Sequence, residues 1–73
     1  MDFQQFLRER NTALLSLDRT RLEAYMRHYN VTIPDDDEVF WRGVHKARTA
    51  VPTFPEWVRA ESRAWLRAHN SAP

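Results

Sequence analysis

Cysteine is absent from the 73 residues, and glycine occurs once, at Gly43. Without cysteine there is no disulfide framework, thiolate metal site or sulfur nucleophile; this suits a reducing compartment. With one glycine there is no phosphate-cradling loop. Long apolar runs are missing as well. Nothing approaches the roughly 18 apolar residues of a membrane span, and Asp2, Arg8, Glu9 and Arg10 interrupt the stretch where a signal peptide would lie. A soluble, cytoplasmic protein is therefore expected. Charge is nearly balanced: 11 Lys and Arg against 10 Asp and Glu leave +1. Attraction to nucleic acid or to a membrane would then have to come from local patterning. Internal repeats, low-complexity tracts and strand-like alternation are also missing.

What is present reads as globular: 42% of residues are hydrophobic and 29% charged. The length allows one domain, 1–73, and a chain this short buries only about 60% of its unfolded surface. Nine aromatics (four Phe, three Trp and two Tyr) compensate, because each can bury a large area.

Helical periodicity runs through the chain. Phe3, Phe6, Leu7, Leu14 and Leu15 recur at helical spacing behind the potential cap Asp2, predicting a first helix over about 3–15, with Arg10 on the same face. Asp18 is a good N-cap, with Leu17 and Leu22 at the positions of a hydrophobic staple. A second helix over 19–29 follows, folded back on the first, with Leu22, Tyr25, Met26 and Tyr29 inward. Asn30 suits a left-handed C-cap, and Val31 to Pro34 reads as an extended connector with Val31 and Ile33 tucked against the core.

The stretch PDDDEVFWRGVHKARTAV, Pro34 to Val51, predicts the third helix, 36–50. Asp35 or Asp36 caps it, and Asp37 and Glu38 favour the positive end of its dipole. Phe40, Val44, Ala47 and Val51 form its core face, with Gly43 at the edge, where a missing side chain would let another helix approach. A fourth helix over 54–69 is predicted from a Thr53/Glu56 capping box, with Pro55 in the first turn. Its inner face is Phe54, Val58, Trp65 and Leu66, with Ser62 at the contact, Trp57 at the edge and Asn70 as C-cap. The expected fold is all-α, a compact bundle of about four short helices.

From Ser16 to Ala47, Leu17, Asp18, Tyr25, Met26, Tyr29, Pro34, Phe40, Trp41, Gly43, Val44, His45, Lys46 and Ala47, with Trp65 and Leu66 later, make the pattern LD...YM..Y...P...FW.GVHKA and a C-terminal WL helix. The pattern resembles that of a group of short bacterial and prophage-associated proteins without an assigned activity. The resemblance implies a bacterial or phage context and carries over no catalytic residue.

Several constellations bear on function. Trp41, His45 and Arg48 share a flank of the third helix at i, i+4, i+7 spacing, next to Lys46. An indole beside donors makes a recognition patch for a protein partner, which Trp57 would extend; the plainer account is that Trp41 covers the core rim and His45 hydrogen-bonds locally. Arg59, Arg63 and Arg67 form a basic stripe that could follow phosphates, or simply a solvated face beside Glu56. A helix-turn-helix arrangement of the second and third helices fails on sign, since it would push an acidic N-terminus toward phosphates. The run Asp35 to Glu38 lacks the spacing of a calcium loop, and helix capping accounts for it. Glu61, on the inner side of the fourth helix, needs a partner among Arg10, His45 and Arg48. His28, His45 and His69 lack metal-ligand spacing, so no metal, cofactor or enzymatic activity is expected. The leading expectation is a protein-binding protein, with nucleic-acid binding through the arginine stripe as the alternative and self-association compatible with an exposed aromatic flank.

Overall fold

The structure, a computed structural model, describes residues 2–69. It is all-α, as expected: α1 spans Phe3–Ser16, α2 Arg19–His28, α3 Asp37–Ala50 and α4 Glu56–Ala68, with no strand among the described residues. The chain divides into two compact units between Ile33 and Pro34. One is the hairpin of α1 and α2, the other the hairpin of α3 and α4.

Three aspartates start three of these helices. Asp2 accepts from the Gln4 amide, Asp18 from Thr20 and Arg21, and Asp36 from Val39, each satisfying donors that a first turn leaves free. Asn30 adopts φ 58°, and the Val31 amide reaches the Met26 carbonyl at 2.8 Å while the Asn30 amide reaches Arg27 at 3.3 Å. This is a Schellman closure. Leu17 also takes a left-handed conformation, φ 51°, at the two-residue connection that folds α2 back on α1. The expected cap at Asn70 and the terminal stretch 71–73 lie outside the described residues.

In the first hairpin, Ala13, Leu14 and Leu22 are buried. Phe6, Tyr25 and Tyr29 are half-buried and pack ring to ring, Phe6 edge-on to Tyr29 at 4.9 Å and Tyr25 to Tyr29 at 5.1 Å. The Tyr29 hydroxyl donates to the Glu9 carboxylate, which pushes the phenol up to about 12 and draws Glu9 below its ordinary range. Phe3, Leu15 and Val31 are exposed, so Val31 does not tuck inward as its apolar character suggested. Its amide closes the helix end instead, and that requirement fixes its position.

In the second hairpin, Phe40, Val44, Val51, Phe54, Val58 and Leu66 form the core. Three expectations are corrected here. α4 begins at Glu56, not Phe54, with Pro55 at the cap position and no side-chain cap bond. The residue before a proline is pushed out of helical space, so Phe54 is spent on the turn, where it is buried. Ala47 is only half-buried. Gly43 is exposed, and a Cβ built on it meets nothing within 4 Å. No helix among the described residues approaches there, so no close helix contact offsets what the glycine costs α3. Gly43→Ala should therefore stabilise the protein by about 1 kcal/mol, read as a higher urea midpoint at unchanged slope.

Candidate functional site

The flank of α3 carrying Trp41, His45 and Arg48 faces α4. His45 is 5% exposed and Arg48 1%, while Trp41 is half-buried and meets Phe40 edge-on at 5.0 Å. As an exposed recognition surface this flank is corrected. The contact stripe of α3 is wider than its apolar set, and small Ser62 on α4 lets the helices close over two polar side chains that find partners.

Those partners are specific. His45 Nδ1 lies 2.9 Å from Ser62 Oγ, and its ring stacks on Trp65 at 4.4 Å and 17°. Trp65 in turn stacks on His69 at 3.7 Å and 17°, and His69 Nδ1 lies 3.1 Å from the Trp65 carbonyl oxygen. The result is a column of three rings, His45, Trp65 and His69, bridging α3 and α4. Trp65 and His69 are i, i+4 neighbours on one helix end, but only the crossing of the two helices brings His45 onto them. Serine beside histidine resembles a nucleophile and its base. Yet Ser62 is 0% exposed, so the pair fastens two helices and presents no nucleophile to a substrate.

Arg48 Nη2 donates to Glu61 Oε1 at 3.0 Å, choosing one of the three partners that sign alone allowed. The pair is lopsided, since the Glu61 side chain is 49% exposed. Arg48 Nε and Nη1 are buried without a hydrogen-bond partner among the described residues.

Burial draws the His45 basicity down from its ordinary 6.5, with the Arg48 charge adding to this, Glu61 opposing it and His69 reinforcing it. A base depressed in the folded state binds fewer protons there than in the unfolded chain. Its contribution to stability is thus complete above pH 6.5 and is lost as pH falls through the folded value. Glu9, Glu23 and Glu56 are also depressed, but from 4.5, so their contributions are lost only at lower pH. Urea midpoints should therefore start to fall below pH 6.5, while carboxylate effects are still absent. His45→Gln should flatten that limb of the profile; an unchanged limb would assign it to other groups.

On α4 the arginines are not equivalent. Arg59 lies 3.1 Å from Glu56 and Arg63 also pairs with Glu56, the latter bond lowering the Glu56 carboxyl below its usual range. Arg67 is exposed one turn on. Trp57 lies at the other extreme from the buried flank, 66% exposed. No helix among the described residues is long and apolar enough to cross a membrane, and no group of His, Asp or Glu among them converges to hold a metal ion. Compared with protein-family models, with curated proteins and with solved structures, the chain matches none of them.

Proposed function

We propose that this chain is a small non-enzymatic protein that binds another protein, in the cytoplasm of a bacterium or in a phage-encoded setting. Trp57 carries the reading. Its indole is 66% exposed at the start of α4, and one and two turns on lie half-buried Ala60 and exposed Glu61 and Ala64. These are mostly small side chains, over which a partner can close on the ring. Tryptophan is among the commonest anchors of protein interfaces, because burying its large rigid surface costs little conformational entropy. Of the four residues first considered, Trp57 retains the accessibility the role demands. His45 and Arg48 are buried between α3 and α4 and Trp41 is half-buried, so they do not present the same surface.

Nucleic-acid binding through Arg59, Arg63 and Arg67 is the second reading. It is weakened by Glu56, which engages two of the three arginines. Capture of partners from a bacterial lysate, with Trp57→Ala and Arg63→Ala/Arg67→Ala alongside the wild type, separates the two. The expected outcome is a protein partner that survives moderate salt and the arginine changes but is lost with Trp57→Ala. Nucleic acid retained at low salt, released as salt rises and lost with the arginine changes would overturn the proposal.

A further inference from the structure

The α1–α2 hairpin holds a groove of about 410 Å³ that no sequence motif announced. It exists because Thr12 and Ala13 on α1 and Ala24 on α2 are small, leaving a trough where longer side chains would fill the helix interface. The Tyr25 and Tyr29 rings close one side. The trough is open to water, since Arg8, Thr12, Arg21, Ala24 and His28 on its walls are all exposed.

Its charge has a direction. The helices are antiparallel, with Glu9 bonded to Tyr29, so Arg8 and His28 stand at one end and Arg21 at the other. Arg21 has a 3.8 Å exposed contact with Asp18, a pairing of little strength. The one acid in the wall, Glu9, already accepts from Tyr29 and Gln5. Cationic ends therefore flank an apolar middle.

We infer that this groove binds an acidic peptide segment of a partner protein, an apolar side chain lying over Ala13, Ala24 and Tyr25 and a carboxylate on each side meeting Arg8 and Arg21. From Arg21 to His28 the helix rises about 10 Å, a span covered by about three extended residues. The volume suits a small ligand, but an open trough buries too little of one, whereas a chain can pass through. A nucleic acid would gain only two permanent cations and would meet the Glu9 carboxylate. The site shares no residue with the Trp57 surface and goes beyond that reading, so either can fail alone.

The test uses the full chain and a capped, dye-labelled peptide of glutamates around one central leucine, followed by anisotropy and by amide-resolved NMR. Saturable binding is expected, with shifts at Thr12, Ala13, Ala24 and Tyr25. Arg8→Ala and Arg21→Ala should each weaken it about fivefold, as one exposed ion pair allows. Ala24→Met, which fills the trough without changing charge, should abolish it while leaving helicity intact. Peptides with lysine for glutamate, or glycine for leucine, should bind more weakly. Equal binding of the lysine peptide, indifference to Ala24→Met, preference for an oligothymidylate strand, or concentration-dependent shifts at the same amides without peptide would each overturn the assignment. The last of these would give the groove to a second copy.

Discussion

Arg48→Met should make the protein more stable, by about 1–3 kcal/mol. A guanidinium 1% exposed has given up its hydration. In return it has one charged hydrogen bond, to Glu61 at 3.0 Å, and two donors, Nε and Nη1, without partners among the described residues. Each unmade bond costs about 1–3 kcal/mol. Glu61 is half in water, so its attraction is screened and recovers only part of this. Methionine keeps the unbranched stem that packs between the helices and drops the charge.

The reciprocal change has the opposite sign. Glu61→Gln leaves the buried cation without a counter-charge and should cost about 1–2 kcal/mol, less than the 3–5 of a fully buried pair because Arg48 retains an acceptor. In the Arg48→Met background, Glu61→Gln should be silent, and the double-mutant cycle isolates the pair. Thermal midpoints would move by about 4–8 °C per kcal/mol for a chain of this size. A loss of stability in Arg48→Met would show that the guanidinium holds the α3–α4 contact together after all.

Phe40→Ala should unfold the α3–α4 hairpin. Phe40 is 2% exposed and supports Trp41 edge-on. Truncating such a phenylalanine removes about 3–5 kcal/mol, against a total of about 4–11 for a chain of 73 residues. Hydrogen exchange resolved along α3 and α4 would show protection collapsing in both helices. Trp57→Ala is the contrast. A ring 66% exposed contributes little to folding, so its removal should change stability by no more than about 0.5 kcal/mol. A Trp57→Ala chain that melts like Phe40→Ala would move the indole from the surface to the core and take the binding proposal with it.

How well the sequence is legible depends on the range of the interaction involved. Asp2, Asp18 and Asp36 mark helix starts because a cap and its amides lie within three residues, and Asn30 marks an end for the same reason. The apolar stripes of α3 and α4 show which side of each helix faces inward. The error at α4 was also local: Thr53 and Glu56 have capping spacing, but Phe54-Pro55 cannot be helical at its first residue, and the steric rule prevailed over the pattern. Gly43 misled because a glycine on a helix permits a close approach without requiring one.

Polar residues on a helix flank are a different case. Nothing in the spacing of Trp41, His45 and Arg48 distinguishes a recognition patch from a buried contact, because the deciding partners, Ser62, Trp65 and Glu61, are 13 to 20 positions away. The groove beside Ala24 was equally hidden, being a property of three small residues, Thr12, Ala13 and Ala24, on two different helices. By itself the sequence determined the four helices, the aspartate caps of three of them and most of the apolar core, since these depend on neighbours along the chain. Only the tertiary structure decided that His45 and Arg48 are enclosed, that Trp57 stands in water and that a cation-flanked trough opens between α1 and α2. Burial and empty space arise where helices cross, and a helix's own periodicity does not specify what lies opposite it.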